Sequence, residues 1–591
     1  MSDFLFSSRR QPPGRLGSVL AHSLAAVPGT GAELHGEWGS LATLLPAHEA
    51  HALLERDGHI SVLVGNPLVR LSDLPPRLLH VPPRRSRLHD LAAEPTARIE
   101  HVLDGHFALL DVDCASGAGR VILDRFGFVP LFAARPAAGG LLLGTHVDAV
   151  ARAAECDALD PVSVADFVTS LSCTFPWTVY RGVRQLTVAA EHRFGRAGWS
   201  APARVYWEPR ERGTRGTFAA AAAELREAVC EGVAAATAHD GRAALLLSGG
   251  EDSRAVLGAV PAGVTVRAVS YAESQNRELR GARRVARAHG ADFDVGVRPP
   301  DHYARHFAEV AGMVGSHHGF FDVHGYAIAG RIGLDAEPVV LGGLSSDSLL
   351  KLTYWRAPGA FRSARPRAIR EELLREVDAR RNQFLHLLHA LRPVSAGEWL
   401  SLWPFAMRKH GGNVDGNRRL FRSFEAFHVN AVLDIAATAP PEWKRHRRLF
   451  RAAFRPLLHV TRFMPHTKLR FPYYGRLGNA LLLPGLALGR GLRVLVRREL
   501  HARQGSWPSW RSLADALHAQ ERAVLARSPV PGLIAEDSTR LAAALADWSG
   551  LRRLLLVQLG WLQLPEALQD GSTRNSPDAT SRIATLPSSI V

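Results

Sequence analysis

Cysteine is scarce in this chain of 591 residues. The four cysteines, Cys114, Cys156, Cys173 and Cys230, lie far apart and form no Cys-x-x-Cys pair. This spacing argues against a disulfide framework and against a structural zinc site. We therefore expect a protein of a reducing compartment, the cytoplasm.

Long apolar segments are missing as well. No run reaches the roughly 18–20 residues that a membrane-spanning helix needs. The N-terminal stretch MSDFLFSSRRQPP also lacks the hydrophobic segment that is typical of a signal peptide. We expect neither a membrane span nor a membrane partner.

Lysine is also rare. Only four of the 72 basic residues are lysines, namely Lys351, Lys409, Lys444 and Lys468. The formal net charge of +16 therefore comes from arginines spread along the whole chain. No nucleic-acid-binding motif accompanies them, so we attribute the charge to composition and expect no nucleic-acid partner. A basic face suits a peptide partner instead.

The stretch AALLLSGGEDSRAVLGAV, residues 243–260, predicts a strand, a glycine loop and the start of a helix. Backbone N–H groups of such a loop and the positive end of the helix dipole bind phosphate. The predicted phosphate-binding residues are Ser248, Gly249, Gly250 and Ser253. Asp252 would repel phosphate without a cation between them, so we interpret it as a magnesium ligand. The structural alternative is an ordinary turn with an aspartate near a helix start.

A second strand with a glycine loop follows in PVVLGGLSSDSLL, residues 338–350. The strand ends at Gly342-Gly343, and Asp347 lies in the loop behind it. A single aspartate after a strand is usually a turn residue or a helix cap. Two such aspartates in one parallel sheet favour a magnesium pair, Asp252 and Asp347, with Gly343 beside the nucleotide.

The surrounding patterns separate into two kinds of fold. Short strands with turn chemistry recur between residues 103 and 144 and predict a layered β-rich region. Strand and helix then alternate through VTVRAVSY (264–271), 278–289 and 293–297, which predicts a doubly wound α/β sheet with its ligand at the carboxyl ends of the strands. Leucine-rich helical patterns follow after residue 480, and the Ser/Thr-rich tail, residues 571–591, is expected to be disordered.

These motifs carry a resemblance. SGGEDS resembles the SGGxDS loop of ATP pyrophosphatases, and LDGHFA (103–108) with DRFGFVPL (124–131) resembles the glutaminase domain of asparagine synthetase. Asp347 matches the aspartate of that family's SGEGxDE segment. Residues 422–454 are similar to its C-terminal run, and Lys468, 17 residues beyond Arg451, matches its catalytic lysine. The resemblance covers roughly residues 100–475.

The chain departs from the family at its two reaction centres. The glutaminase nucleophile is a cysteine at position two, where this chain has Ser2, and its Asn-Gly-Glu loop is reduced to VGNP, residues 64–67. In the second centre Leu344 replaces a functional glutamate, and Ser348 replaces the glutamate after the aspartate. Leu344 cannot accept a proton, so we considered His317 and His318 as substitutes, although packing histidines are the more common case.

The resemblance implies the architecture. It is an α/β protein with an N-terminal αββα domain of the N-terminal-nucleophile-hydrolase type, a doubly wound ATP pyrophosphatase domain and a helical C-terminal extension. We expect an inactive glutaminase-like domain at residues 1–205 and the pyrophosphatase domain at 206–475. The helical extension spans 476–570 and the tail 571–591.

The resemblance also implies a ligase reaction with ATP and Mg²⁺. A carboxylate attacks ATP to give an acyl-adenylate and pyrophosphate, and an amine then displaces AMP. Asp252 and Asp347 are the implied metal ligands, and both count with Lys468 as catalytic. Leu247 and Val269 are expected to line the adenine pocket.

The amine donor is left open by the sequence. Family members without a glutaminase nucleophile join an amine that the substrate already carries, and the length and basic helical C-terminal part look most like lasso-peptide macrolactam synthetases. The substrate is then a peptide, and a leader-peptide-processing protease is the expected partner. The alternatives are a small-molecule amide synthetase of the β-lactam type, an asparagine synthetase-like enzyme that uses free ammonia, and a non-catalytic pseudo-synthetase that only binds.

Overall fold

A computed structural model describes most of the chain. The described residues are 3–49, 53–82, 84–93, 98–211, 216–352, 359–466, 470–484, 506, 509–565 and 569. No helix in these ranges is long and apolar enough to cross a membrane. Lys468, Ser2 and the predicted tail 571–591 lie outside them.

The strands in this part of the chain are, in order, β1 Asp3–Ser7, β2 Gly29–Gly36, β3 Gly39–Pro46, β4 Leu53–Arg56, β5 His59–Val64, β6 Leu68–Val69, β7 Arg77–Leu78, β8 Leu103–Asp104, β9 Ala108–Asp113, β10 Gly119–Leu123, β11 Phe132–Ala134, β12 Leu142–Gly144, β13 Val183–Gln185, β14 Ala190–Gly195, β15 Gly198–Trp199, β16 Arg204–Val205, β17 Arg242–Leu246, β18 Thr265–Ala272, β19 Asp292–Val297, β20 Val340–Gly342 and β21 Ser423–Glu425.

The α-helices over the same ranges are Arg15–Ser23, Arg84–Ala93, Ile99–Val102, Val147–Ala153, Pro161–Ser170, Phe218–Thr237, Asp252–Ala259, Arg277–Ala288, His302–Arg305, Phe307–Val314, Ser346–Leu350, Glu371–Leu391, Ala396–Trp399, Gly412–Leu420, Asn430–Thr438, Pro441–Lys444, Arg448–Phe454, Trp510–Ala516, His518–Leu525, Val530–Ile534, Ser538–Ala544 and Gly550–Leu562. Short 3₁₀ turns cover Phe320–Asp322, Phe405–Met407, Arg445–Arg447 and Leu545–Asp547.

The N-terminal part is built of two large antiparallel sheets, in the orders β13-β11-β12-β1-β3-β2 and β15-β14-β10-β9-β5-β4, with β16 beside β14, and of a small antiparallel sheet β7-β6-β8. Residues alternate across a strand, so Phe4 and Phe6 of β1 share one core with Val62 and Leu110 of the second sheet. Leu5 faces the other way and packs with helices, among them Arg15–Ser23. Helix Arg84–Ala93 covers the second sheet through Leu88 and Ala92, which pack with Leu63, Leu109 and Ile122. These helix, sheet, sheet and helix layers confirm the predicted αββα arrangement.

A five-stranded parallel sheet forms the second part, in the order β19-β18-β17-β20-β21. The chain starts in the middle at β17, moves outward to β19, and then returns to add β20 and β21 on the other side. This order confirms the doubly wound prediction and places the topological switch point between β17 and β20. Strand β21 is not among the strands that the sequence predicted.

The C-terminal helices pack onto both earlier parts. Leu554 and Val557 of helix Gly550–Leu562 share a core with Phe167 and Phe320. Gln558 in the same helix is fully buried and donates hydrogen bonds of 2.7 Å to the carbonyls of Gly315 and His318. The C-terminal helices therefore contribute to a hydrophobic core that they share with both earlier parts.

Candidate active site

The two glycine loops meet at the switch point. One loop, Leu247–Glu251, leaves β17, and the other, Gly343–Ser345, leaves β20. A Cβ atom on Gly343 would lie 3.0 Å from the Ser253 nitrogen and 3.2 Å from the Asp252 carbonyl carbon. The missing side chain thus lets the second loop approach the helix start that carries Asp252. The structure brings together the two segments that the sequence singled out.

Backbone N–H groups of the first loop donate hydrogen bonds to the hydroxyl groups of Ser248 and Ser253. The Ser248 N–H donates to Ser253 Oγ at 3.0 Å, and the Gly250 N–H donates to Ser248 Oγ at 3.1 Å. The two hydroxyl oxygens are 3.1 Å apart. Behind them begins helix Asp252–Ala259, whose positive dipole end faces the loop. Backbone amides, two hydroxyls and a helix N-terminus are the groups that cradle phosphate.

Asp252 and Asp347 lie within electrostatic reach of each other. Burial raises the pKa of Asp252, the Lys351 ammonium opposes that effect, and the carboxylates of Glu251 and Asp347 add to it. Asp252 Oδ1 accepts hydrogen bonds from Ser346 Oγ and Lys351 Nζ, and its side chain is 29% exposed. Both aspartates thus keep part of their surface accessible.

This donor set fits a magnesium ion that is shared with phosphate. In the described ranges, no group of three or more His, Cys, Asp or Glu side chains could hold a metal ion by itself. Mg²⁺ is commonly held by only one or two carboxylates, with substrate phosphates and water completing the shell. Asp252 and Asp347 would be those two carboxylates.

A cluster of charges surrounds Glu251, the residue that precedes the helix. Glu251 is 1% exposed, and its Oε1 lies 2.9 Å from Lys351 Nζ and 3.0 Å from Arg470 Nη2. Its Oε2 is paired with Arg447. Burial alone would raise the pKa of Glu251, but Lys351, Arg447 and Arg470 together lower it to about 2. Glu251 is therefore an anion that is paired with three cations beside the glycine loop Leu247–Glu251.

Sequence reasoning missed Glu251 and Lys351 as members of this site. The signal for Lys351 was present, because it is one of only four lysines and stands four residues after Asp347. The rarity of lysine drew attention to Lys468 instead.

The chain on either side of Lys468 contacts the phosphate loop. The fully buried Arg254 donates to the carbonyls of Met464 at 2.9 Å and Gly249 at 3.3 Å. The His466 N–H donates to the Arg470 carbonyl at 2.6 Å, and Arg470 in turn holds Glu251. Lys468 itself lies outside the described residues, so its catalytic role stays a prediction.

Glu425 lies next to Leu344, the position where the family has a functional glutamate. Strand β21 pairs Glu425 with Gly342 of β20, and Glu425 Oε2 accepts a 2.9 Å hydrogen bond from the Leu344 N–H. A Cβ atom on Gly342 would come within 2.2 Å of both carboxylate oxygens, so this glycine makes room for the acid. Burial raises the pKa of Glu425 to about 7, while the Leu344 N–H and Arg408 act in the opposite direction.

Ser345 joins the second loop to the N-terminal part. Its backbone is left-handed, with φ of 69°, and its Oγ accepts from Arg408 and lies 2.6 Å from His428 Nε2. His428 Nδ1 is in turn 2.6 Å from Nε2 of His106, which follows the Asp104-Gly105 turn. Phe128 stacks on His428 with 4.0 Å between ring centroids. The N-terminal part therefore braces the loop in front of helix Ser346–Leu350. Asp347 lies in the first turn of that helix and not in the loop, where the sequence had placed it.

The sequence also proposed two histidines as proton acceptors and two apolar residues for an adenine pocket. His317 packs edge-on against Phe132 of the N-terminal sheet, and the His318 carbonyl accepts from Gln558. Burial lowers the pKa of both histidines, which suits packing residues. Leu247 and Val269 are joined by a 2.8 Å backbone hydrogen bond, and their side chains lie in two different apolar cores. Their part in an adenine pocket stays a prediction.

Part of the chain matches the model of a known protein family. Residues 224–470 match the family model of asparagine synthase. No curated protein matches the chain significantly.

Two solved structures share 11% sequence identity with the chain at a TM-score of 0.24. One is the allosteric regulatory enzyme of purine biosynthesis, where the match covers 50% of this chain and 80% of that one. The other is glutamine phosphoribosylpyrophosphate amidotransferase from B. subtilis in complex with ADP and GMP, with 50% and 66% covered. At these scores neither structure supports an argument about the site.

Proposed function

We propose that this chain, whose residues 224–470 match the asparagine synthase family model, is an ATP-dependent ligase that adenylates a carboxylate and transfers the acyl group to an amine. The observation that carries this proposal is the meeting of two carboxylates and a glycine phosphate loop at the switch point of the sheet. Ligands of doubly wound sheets bind at this place.

Phosphate binding and metal binding are assigned to two different groups of residues. Ser248, Gly249, Gly250 and Ser253 bind the β- and γ-phosphates through backbone N–H groups and hydroxyls. Asp252 and Asp347 would hold Mg²⁺, which neutralises charge on the phosphates when it is bound. Formation of the acyl-adenylate releases pyrophosphate, and the amine then attacks the acyl carbon while AMP leaves.

The attacking amine loses a proton, and we assign its acceptance to Glu425. Leu344 has no group for this task, whereas the Glu425 carboxylate lies against its backbone. A base whose pKa is near 7 is suited to proton transfer at neutral pH.

The substrate is proposed to carry its own amine, as in lasso-peptide macrolactam closure. The support comes from Ser2 in place of the nucleophilic cysteine and from the reduced loop at residues 64–67. A linear peptide with an N-terminal amine and an Asp or Glu side chain would then be the substrate. A leader-peptide-processing protease is the partner that such a route needs.

Formation of AMP and pyrophosphate tests the ligase proposal. The full chain is incubated with ATP, Mg²⁺ and one probe at a time: L-aspartate with ammonium chloride, a β-amino acid, or a linear peptide with an N-terminal glycine and an internal aspartate or glutamate. We expect AMP and pyrophosphate in equal amounts, together with loss of one water from the peptide in mass spectrometry. Turnover of aspartate with ammonia alone would identify an asparagine synthetase-like enzyme instead. Failure to bind ATP would contradict the ligase proposal.

Glutamine is expected to remain intact. The nucleophile of the family is a cysteine, and the hydroxyl of Ser2 is a much weaker nucleophile at neutral pH. Incubation with glutamine, with or without ATP, should release no glutamate above a protein-free blank. Glutamate release that is abolished by Ser2→Ala would show an active glutaminase and contradict the prediction.

A further inference from the structure

Lys351 follows directly after the helix that carries Asp347, and its side chain lies beside the phosphate loop. Helix Ser346–Leu350 has Asp347 in its first turn and ends directly before Lys351. The Lys351 side chain is 5% exposed and contacts both Glu251 and Asp252. Phe450 lies beneath the ammonium, with Nζ 4.0 Å from the ring centroid. The side chain of this buried lysine is therefore held by three contacts, with Glu251, Asp252 and Phe450.

The surroundings keep this lysine charged. The Lys351 ammonium is paired with the carboxylates of both Glu251 and Asp252. The contact with the Phe450 ring face is also favourable only for a cation.

The charges around Lys351 suit an anion. Lys351, Arg447 and Arg470 all contact Glu251, so three cations share one carboxylate. Lys351 also contacts Asp252, which we assign with Asp347 to Mg²⁺. If those two carboxylates held a metal ion, Glu251 would remain paired with three positive side chains among the described residues. The excess positive charge lies beside a loop of backbone N–H groups, which is the environment that a polyphosphate requires.

A compact ammonium suits this position better than a planar guanidinium. The chain uses arginine for 68 of its 72 basic residues, since only four are lysines. An ammonium is compact and donates in three directions, whereas a planar guanidinium needs a wider space.

We propose that Lys351 binds the phosphates of ATP and of the pyrophosphate product, with Glu251 as the positioning residue that holds its ammonium beside Asp252. This inference rests on the ligase proposal above. It adds a phosphate-binding cation that follows the helix with Asp347 in its first turn.

Calorimetric titration of the full chain with ATP and with inorganic pyrophosphate, each in excess Mg²⁺, tests the inference without any carboxylate substrate. Loss of one buried charge pair with phosphate should weaken the binding of both ligands in Lys351→Met by at least about tenfold. Lys351→Arg should restore only part of the loss, because a planar guanidinium donates its hydrogen bonds in other directions than a compact ammonium. Lys444→Met is the matched control, since Lys444 is also buried and faces an aromatic ring, Trp399, at 5.7 Å.

The outcomes separate the two proposals. If the parent binds neither ATP nor pyrophosphate, the ligase proposal itself is wrong. If the parent binds both ligands and Lys351→Met binds them within twofold, or more tightly, Lys351 only neutralises Asp252 and the inference is overturned. Thermal unfolding of each variant checks the fold, and Lys351→Gln repeats the comparison with a side chain that can still donate to Glu251.

Discussion

Asp252→Asn should reduce the formation of AMP and pyrophosphate on the order of 10²- to 10³-fold, as removal of one preorganised electrostatic group does in other enzymes. The substitution keeps the size and shape of the side chain but removes the negative charge that would bind Mg²⁺. It also leaves Ser346 Oγ with an acceptor, so the loop is expected to keep its structure. The measurement is AMP released per enzyme under saturating ATP and magnesium.

Asp294→Asn is the matched control for this prediction. Asp294 lies on the edge strand β19 of the same sheet and pairs with Arg267 at 2.6 Å, away from the switch point. It should retain the parent rate within about twofold, since surface substitutions rarely perturb a site. Asp252→Asn with a rate within twofold of the parent would mean that this carboxylate is not a metal ligand.

Glu425→Gln should reduce amide formation by about 10²-fold or more while leaving adenylation intact, because a general base typically contributes 10²- to 10⁴-fold. The glutamine oxygen can still accept the Leu344 N–H, so the neighbouring loop keeps its hydrogen bond. Only the ability to take a proton is lost. Exchange of labelled pyrophosphate into ATP measures the first step, and product formation with the same carboxylate and amine measures both steps.

The pH profile gives a second readout for Glu425. Burial raises its pKa to about 7, so the carboxyl is largely protonated at pH 6 and ionised at pH 8. Arg408 faces it with a positive charge, and His428 follows three residues later and is uncharged because burial holds its pKa well below the ordinary value. Amide formation in the parent should therefore rise between pH 6 and 8.

Glu425→Gln should lose that rise. The buried carboxyl of Glu337, which pairs with Arg242 and Arg267, provides the control variant Glu337→Gln. An unchanged pH profile in Glu425→Gln would assign the proton to another acceptor.

The sequence by itself determined the parts of the site that are local. A short apolar strand, a glycine loop and a helix start lie within about a dozen neighbouring residues in both SGGEDS and GGLSSDS. Such patterns set their own backbone conformation. The parallel order of the strands then brings the carboxyl ends of β17 and β20 to one edge, so the approach of the Asp252 and Asp347 loops could be expected. The layered N-terminal sheets followed from alternating strands in the same way.

Only the tertiary structure decided which distant side chains complete the site. Glu425 reaches Leu344 across 81 residues because β21 adds to the edge of β20 in one register, Gly342 opposite Glu425. A strand of three residues has too little pattern to be read locally, and no spacing in the sequence records its register. Glu251 likewise meets Lys351 and Arg470 only after helices and loops have packed. Burial, which shifts the pKa values of Glu425 and Glu251 in opposite directions, is a property of that packing and not of either residue.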